Sequence, residues 1–133
     1  MMNKLFGNLF ILTGIFAIVG GGYTWGEGSI FNQNQLIKVW IPWADVLLTG
    51  PLSIICGIGI YKNLSWAKIL GVATSGIYIF GSTMVFISII WDKNYSIYLI
   101  IPAVSGLLIG AGYIFHYILK YPAVDRGAIE ADR

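Results

Sequence analysis

Charged residues are scarce in this sequence: Asp, Glu, Lys and Arg make up 11% of the 133 residues, whereas hydrophobic residues make up 57%. Soluble globular domains carry about 25% charged residues. The scarcity therefore excludes a soluble protein, and lipid must be the solvent for most of the chain.

Histidine and cysteine are nearly absent, with one residue of each type, His116 and Cys56. A single cysteine excludes an internal disulfide, and one residue of each type excludes a tetrahedral zinc site or a bis-histidine haem site within one chain. The glycine clusters lie in or beside apolar runs, so no phosphate-binding loop is expected. The basic residues are scattered singly, unlike those of a nucleic-acid-binding surface. We expect no cofactor, no metal and no nucleic-acid partner.

Long apolar runs are what the sequence has in abundance. Four of them are long enough to cross a hydrocarbon core: 5–22, 43–61, 67–90 and 98–119. They predict a single integral membrane domain over 1–133, all-α, with four transmembrane helices in an antiparallel bundle and an inner polar tail at 120–133. The first run follows Lys4 and ends in glycines, as a secretory signal would, but we interpret it as a retained span.

Positive charge is distributed unevenly among the predicted loops. If both termini are inside, the inner side holds six of the eight basic residues, and only Lys38 and Lys93 are outside. Because cytoplasmic loops retain Lys and Arg, we predict an N-in, C-in topology in the cytoplasmic membrane, with the lipid bilayer as the first partner.

Tryptophans gather at the predicted outer boundary, each close to an acid: Trp25 with Glu27, Trp43 with Asp45, and Trp91 with Asp92. One interpretation is a belt of headgroup anchors beside water-facing carboxylates. The other is an acidic, aromatic outer mouth that attracts a cation or an amine.

The first outer loop is the only long one. Ile30, Ile37, Trp40 and Ile41 follow one another at near-helical spacing in it. The spacing predicts either a short amphipathic helix that ends at Pro42 or an irregular loop pinned by aromatic residues.

Small residues at helical spacing mark the predicted helix contacts, because helices in lipid associate through close backbone approach. The principal ones are Gly50 and Gly57 in span two, Gly71 and Ser75 in span three, and Gly106 and Gly110 in span four. Span one has fewer such positions. We therefore predict a tight centre of spans two, three and four, with span one at the periphery.

Polar and ionisable residues inside the spans are the functional candidates, because they are costly in lipid. One polar line on span two comprises Asp45, Thr49, Ser53 and Cys56. It is expected to face the bundle, since lipid offers it no partners, and Pro51 predicts a kink beside it. With His116, near the inner end of span four, these residues form the candidate ligand or ion site. The plainer interpretation is a routine proline kink whose hydroxyls bond to their own backbone.

Three functional hypotheses follow. The first is a non-enzymatic accessory or self-associating subunit, a homo-oligomer or part of a larger membrane complex. The second is a transporter or channel for a small solute, ion or lipid, with its site around Asp45. The third is a lipid-modifying enzyme that acts through Cys56, His116 or the inner tyrosines; no catalytic residue is assigned.

Overall fold

The computed structural model describes residues 2–26, 36–93 and 97–121, without the side chains of residues 24–26, 36–39 and 92. Its elements are α1 (Met2–Gly26), α2 (Leu36–Ala44), a π-helical turn (Asp45–Thr49), α3 (Gly50–Tyr61), α4 (Ser65–Asp92) and α5 (Ile97–Lys120). Four stretches of the described chain are long and apolar enough to cross a membrane: Met2–Tyr23, Trp40–Tyr61, Ser65–Trp91 and Ile97–Lys120. We call these spans one to four. The described residues are all-helical, as predicted, and the four apolar helices indicate a multi-pass membrane protein.

The helix before span two does not end at Pro42, so that part of the prediction is wrong. Pro42 lies inside α2, and α2 leads directly into the π turn and α3, so the backbone is helical from Leu36 to Tyr61. A proline removes only one backbone donor, whereas ending a helix among apolar residues would leave several groups unbonded. The earlier part of the predicted amphipathic helix, including Ile30, lies outside the described residues.

A tight turn joins spans two and three. Leu64 N–H donates to the Gly59 carbonyl at 2.9 Å, and Asn63 N–H donates to the Ile60 carbonyl at 3.0 Å. Asn63 has a φ of 60°, the left-handed conformation that ends many helices and that asparagine tolerates. The turn therefore satisfies the last carbonyls of α3 and reverses the chain within three residues, 62–64.

Spans one and two are in close contact along their lengths. A Cβ on Gly57 would lie 2.7 Å from the Gly7 carbonyl oxygen, and a Cβ on Gly14 would lie 2.7 Å from the Gly50 carbonyl oxygen. Only glycine allows backbones to approach this closely. The prediction that span one is peripheral is therefore wrong, because the glycines of both helices coincide at the contact.

Spans three and four also meet at small residues. A Cβ on Gly110 would lie 2.8 Å from the Ser75 carbonyl oxygen, and one on Gly71 would lie 2.6 Å from Cε1 of the Tyr113 ring. Gly106 is buried against Ser82 in the same contact. The structure thus places the predicted packing residues of these spans at the contact between α4 and α5.

Aromatic rings connect the two pairs of spans near one end. Phe10 of α1 is fully buried, 5.3 Å from the Tyr78 ring and 5.1 Å from the Tyr113 ring, and Phe6 lies 5.3 Å from the Tyr113 ring. Lys4, Lys62, Lys68 and Lys120 are at this end, which we call the lysine end; Trp40, Trp43 and Trp91 mark the tryptophan end. Large rings therefore fill the space between the pairs at the lysine end.

Candidate ligand-binding cleft

A π-helical turn at the start of span two positions Asp45. Within Asp45–Thr49 the helix is wider than an α-helix, and Gly50 N–H donates to the Asp45 carbonyl five residues back. Pro51 follows and has no N–H to offer the Leu47 carbonyl. The disruption expected at Pro51 thus takes the form of a π turn within a continuous helix. Such turns are rare and are often found at functional sites.

Asp45 and Thr49 line a cleft of about 760 Å³ between the spans. Every span contributes apolar side chains to its walls, among them Leu12, Phe16, Trp40, Phe80 and Ile101. The space exists because the helices present small residues at this level: Thr13, Ala17, Gly81, Ser82, Ala103 and Gly106.

Hydrogen bonds of hydroxyl groups connect α4 to α3 beside the cleft. Tyr78 of α4 is buried and donates its hydroxyl to Ser53 Oγ of α3 at 2.6 Å. Ser53 in turn donates to the Thr49 carbonyl. Thr13 of α1 also lines the cleft and donates its hydroxyl to the Leu9 carbonyl of its own helix at 2.8 Å. This network holds Tyr78 and Thr49 in fixed positions beside the cleft.

The Asp45 carboxyl group has capacity for further bonds. Its hydrogen-bonding partner among the described side chains is Thr49, one turn along the helix, and no described basic side chain neighbours it. A carboxylate offers about four acceptor positions. Thr49 uses one of these positions, so the described side chains leave the others open to a molecule in the cleft.

The predicted polar line of span two divides into two parts. Asp45 and Thr49 line the cleft, whereas Ser53 and Cys56 are fully buried in the helix packing. Cys56 donates its thiol to the Ala67 carbonyl at 3.4 Å. Ser53 and Cys56 therefore belong to the contact between spans two and three.

His116 belongs to a different polar cluster, at the lysine end. Its Nε2 lies 3.2 Å from Asn3 Oδ1, and its ring is stacked on Phe6 with centroids 5.3 Å apart. Lys120 donates to the same Asn3 oxygen at 3.1 Å, and Asn3 donates to Asn63. The structure thus gives His116 and Cys56 different partners. Asn3 and Asn63 were missed because both lie just outside the predicted spans 5–22 and 43–61, and only residues inside the spans were taken as candidates.

The predicted outer mouth is described only in part. Trp91 is 84% exposed and Trp43 is half-buried. Glu27 and the side chains of Trp25 and Asp92 lie outside the described residues. Trp40, which the mouth did not include, lines the cleft. Trp40 and Asp45 lie on one continuous helix. A prediction that continued this helix through Pro42 would have placed the two residues together.

Within residues 2–26, 36–93 and 97–121, no three His, Cys, Asp or Glu side chains come close enough to hold a metal ion. What the described part offers is a largely apolar cleft whose lining includes one carboxyl group, that of Asp45, and five hydroxyl side chains, those of Thr13, Thr49, Tyr78, Ser82 and Ser105. No family model, curated protein or solved structure matches this chain.

Proposed function

We propose that this protein binds a small, largely apolar molecule inside the membrane, as a carrier or binding protein, in the cleft that contains Asp45. The supporting observation is the cleft itself, about 760 Å³ with apolar walls and the polar groups of Asp45, Thr49 and Tyr78. Ligand sites in proteins are typically about 300–1,000 Å³, mainly apolar, with a few convergent polar groups.

The proposal includes an orientation: an antiparallel bundle in the cytoplasmic membrane, with both termini and the lysine end inside. The excess of Lys and Arg in the predicted inner segments supports it. The helix contacts support the antiparallel arrangement. Gly7 is near Gly57 and Gly14 is near Gly50, so residue numbers rise along one helix and fall along the other. The cleft then belongs to the outer half of the membrane.

The second proposal, an accessory or self-associating subunit, is favoured by the apolar surface of span four. Leu108 is 70% exposed and Phe115 is 65% exposed, a surface that a helix of another copy or of a partner subunit would cover. The lipid-modifying enzyme has less support, because Cys56 and His116 bond to different groups.

Native mass spectrometry of the protein released from mild detergent tests the first proposal. The key variant is Gly81→Phe, because Gly81 lines the cleft and a Cβ there meets no atom within 4 Å, so a large ring is added at the cleft wall without a clash at its Cβ. Gly76→Phe is the matched control: it lies on the same helix, its Cβ is equally free, and it does not line the cleft.

We expect wild type and Gly76→Phe to carry a co-purified small molecule that Gly81→Phe has lost. Equal retention of bound molecules by the two variants, or no bound molecule on wild type, contradicts ligand binding in the cleft. A protein dimer, or a complex with a partner subunit, that is observed for wild type and equally for Gly81→Phe supports the second proposal.

A further inference from the structure

We infer that the molecule in the cleft is a single-chain amphiphile with a positively charged ammonium head, which lies at Asp45 while its tail follows the apolar walls. The inference rests on the proposed function and specifies the chemistry of its ligand. It uses the charge, the shape and the lateral opening of the cleft.

The charge of the cleft calls for a cation. Asp45 is the one carboxyl group among the described residues that line it, and no described basic side chain neighbours that group. A carboxylate in apolar surroundings is costly unless it is paired or hydrogen-bonded. Trp40 also lines the cleft, and tryptophan is the aromatic residue that attracts ammonium groups most strongly. An ammonium head is therefore complementary to this part of the cleft.

The polar group is at one end of the cleft. A Cβ on Gly21 would lie 3.6 Å from the Asp45 Cβ, which places Asp45 toward the tryptophan end, beyond Ala17. At the other end the lining residues Leu9 and Ile109 pack against the apolar core. Residues 9–17 of α1 line the cleft over about 12 Å at about 1.5 Å per residue. A head at Asp45 leaves that length for an alkyl tail.

The cleft is also open to the sides of the bundle. Leu12, Phe16, Phe80 and Ile101 line it and are 63%, 61%, 64% and 58% exposed, respectively. In a membrane these side chains contact lipid, so a molecule already dissolved in the bilayer reaches the cleft without crossing water. An amphiphile fits this route better than a free metal ion or a polar solute.

Photolabelling in nanodiscs of zwitterionic lipid tests the inference. Two probes carry the same diazirine-bearing dodecyl chain, one with a trimethylammonium head and one with a hydroxyl head. Full-length wild type, Asp45→Asn, Asp45→Glu, Gly81→Phe and Gly76→Phe are labelled, and peptides containing cleft residues are quantified by mass spectrometry. Unlabelled dodecyltrimethylammonium serves as competitor.

We expect the ammonium probe to label the cleft of wild type at least about tenfold more than the hydroxyl probe, a difference of about 1.4 kcal/mol, since the charge of the trimethylammonium head is attracted by the Asp45 carboxylate and by the face of the Trp40 ring. Asp45→Asn should remove this preference, Asp45→Glu should keep it, and the hydroxyl probe reports that the asparagine variant retains its fold. Equal labelling by both probes in wild type, abolished by Gly81→Phe, overturns the ammonium head and leaves the proposed function in place. Cleft labelling that Gly81→Phe does not reduce overturns both.

Discussion

Replacing Gly57 with alanine tests the contact between spans one and two. The added Cβ would lie 2.7 Å from the Gly7 carbonyl oxygen and 2.9 Å from the Ile11 backbone nitrogen. Two effects oppose each other: alanine is favoured over glycine within a helix by about 1 kcal/mol, whereas overpacking a tight contact costs about 1–3 kcal/mol. Backbone atoms cannot rotate away as a side chain does, so we expect the steric effect to dominate.

Gly76→Ala isolates this steric cost. Gly76 is also within a helix, but a Cβ there meets nothing within 4 Å, so this variant has the propensity gain without the clash. The free energy of unfolding is measured in mixed micelles with increasing dodecyl sulfate, followed by tryptophan fluorescence. We expect Gly57→Ala to be less stable than Gly76→Ala by about 1–3 kcal/mol. Equal stability of the two variants would refute the close contact.

Two further predictions concern the network beside the cleft and the orientation. Tyr78→Phe removes the buried hydrogen bond to Ser53 and should lower the free energy of unfolding by about 1 kcal/mol; Tyr98→Phe, at an 85% exposed position, should leave it unchanged, and a similar loss in both would argue against the network. In a Cys56→Ala background, a membrane-impermeant maleimide should modify Ile97→Cys in intact cells and Ser65→Cys only after permeabilisation. The reverse pattern rules out the N-in, C-in topology.

The spans could be predicted from the sequence because an apolar run long enough to cross a bilayer has few other uses. Their ends differ from the prediction by a few residues: the first begins at Met2 rather than Leu5, and the second at Trp40 rather than Trp43. The second difference arises at Pro42. A proline indicates a helix boundary, but nothing in the sequence showed that the flanking helices would continue through it.

Helix partners were harder to predict than the helices. The glycine positions of spans two, three and four do lie at helix contacts, yet the first span was placed at the periphery because it has fewer of them. What matters is whether the glycines of two helices meet. Gly7 and Gly14 of span one coincide with Gly57 and Gly50 of span two, and that depends on how the helices are aligned in space.

The candidate site was predicted in part. Asp45 and Thr49 were singled out as ionisable and polar residues inside a span, and both line the cleft. Ser53 and Cys56 were joined to them by assuming an ideal helix, and the π turn was not foreseen. The cleft volume depends on small residues from three separate helices at one level, such as Thr13, Gly81 and Gly106, which no local pattern reveals.

The most direct test of the ligand-binding claim is nuclear magnetic resonance of the protein in nanodiscs of deuterated lipid. The co-purified molecule is not deuterated, so its hydrogen nuclei can be observed. Leu9 and Ile109 line the end of the cleft away from Asp45, whereas Leu108 is 70% exposed and does not line it. Binding in the cleft predicts intermolecular nuclear Overhauser effects from the molecule to the methyl groups of Leu9 and Ile109, and their loss in Gly81→Phe. Effects confined to the methyl groups of Leu108, with none at Leu9 or Ile109, would contradict it.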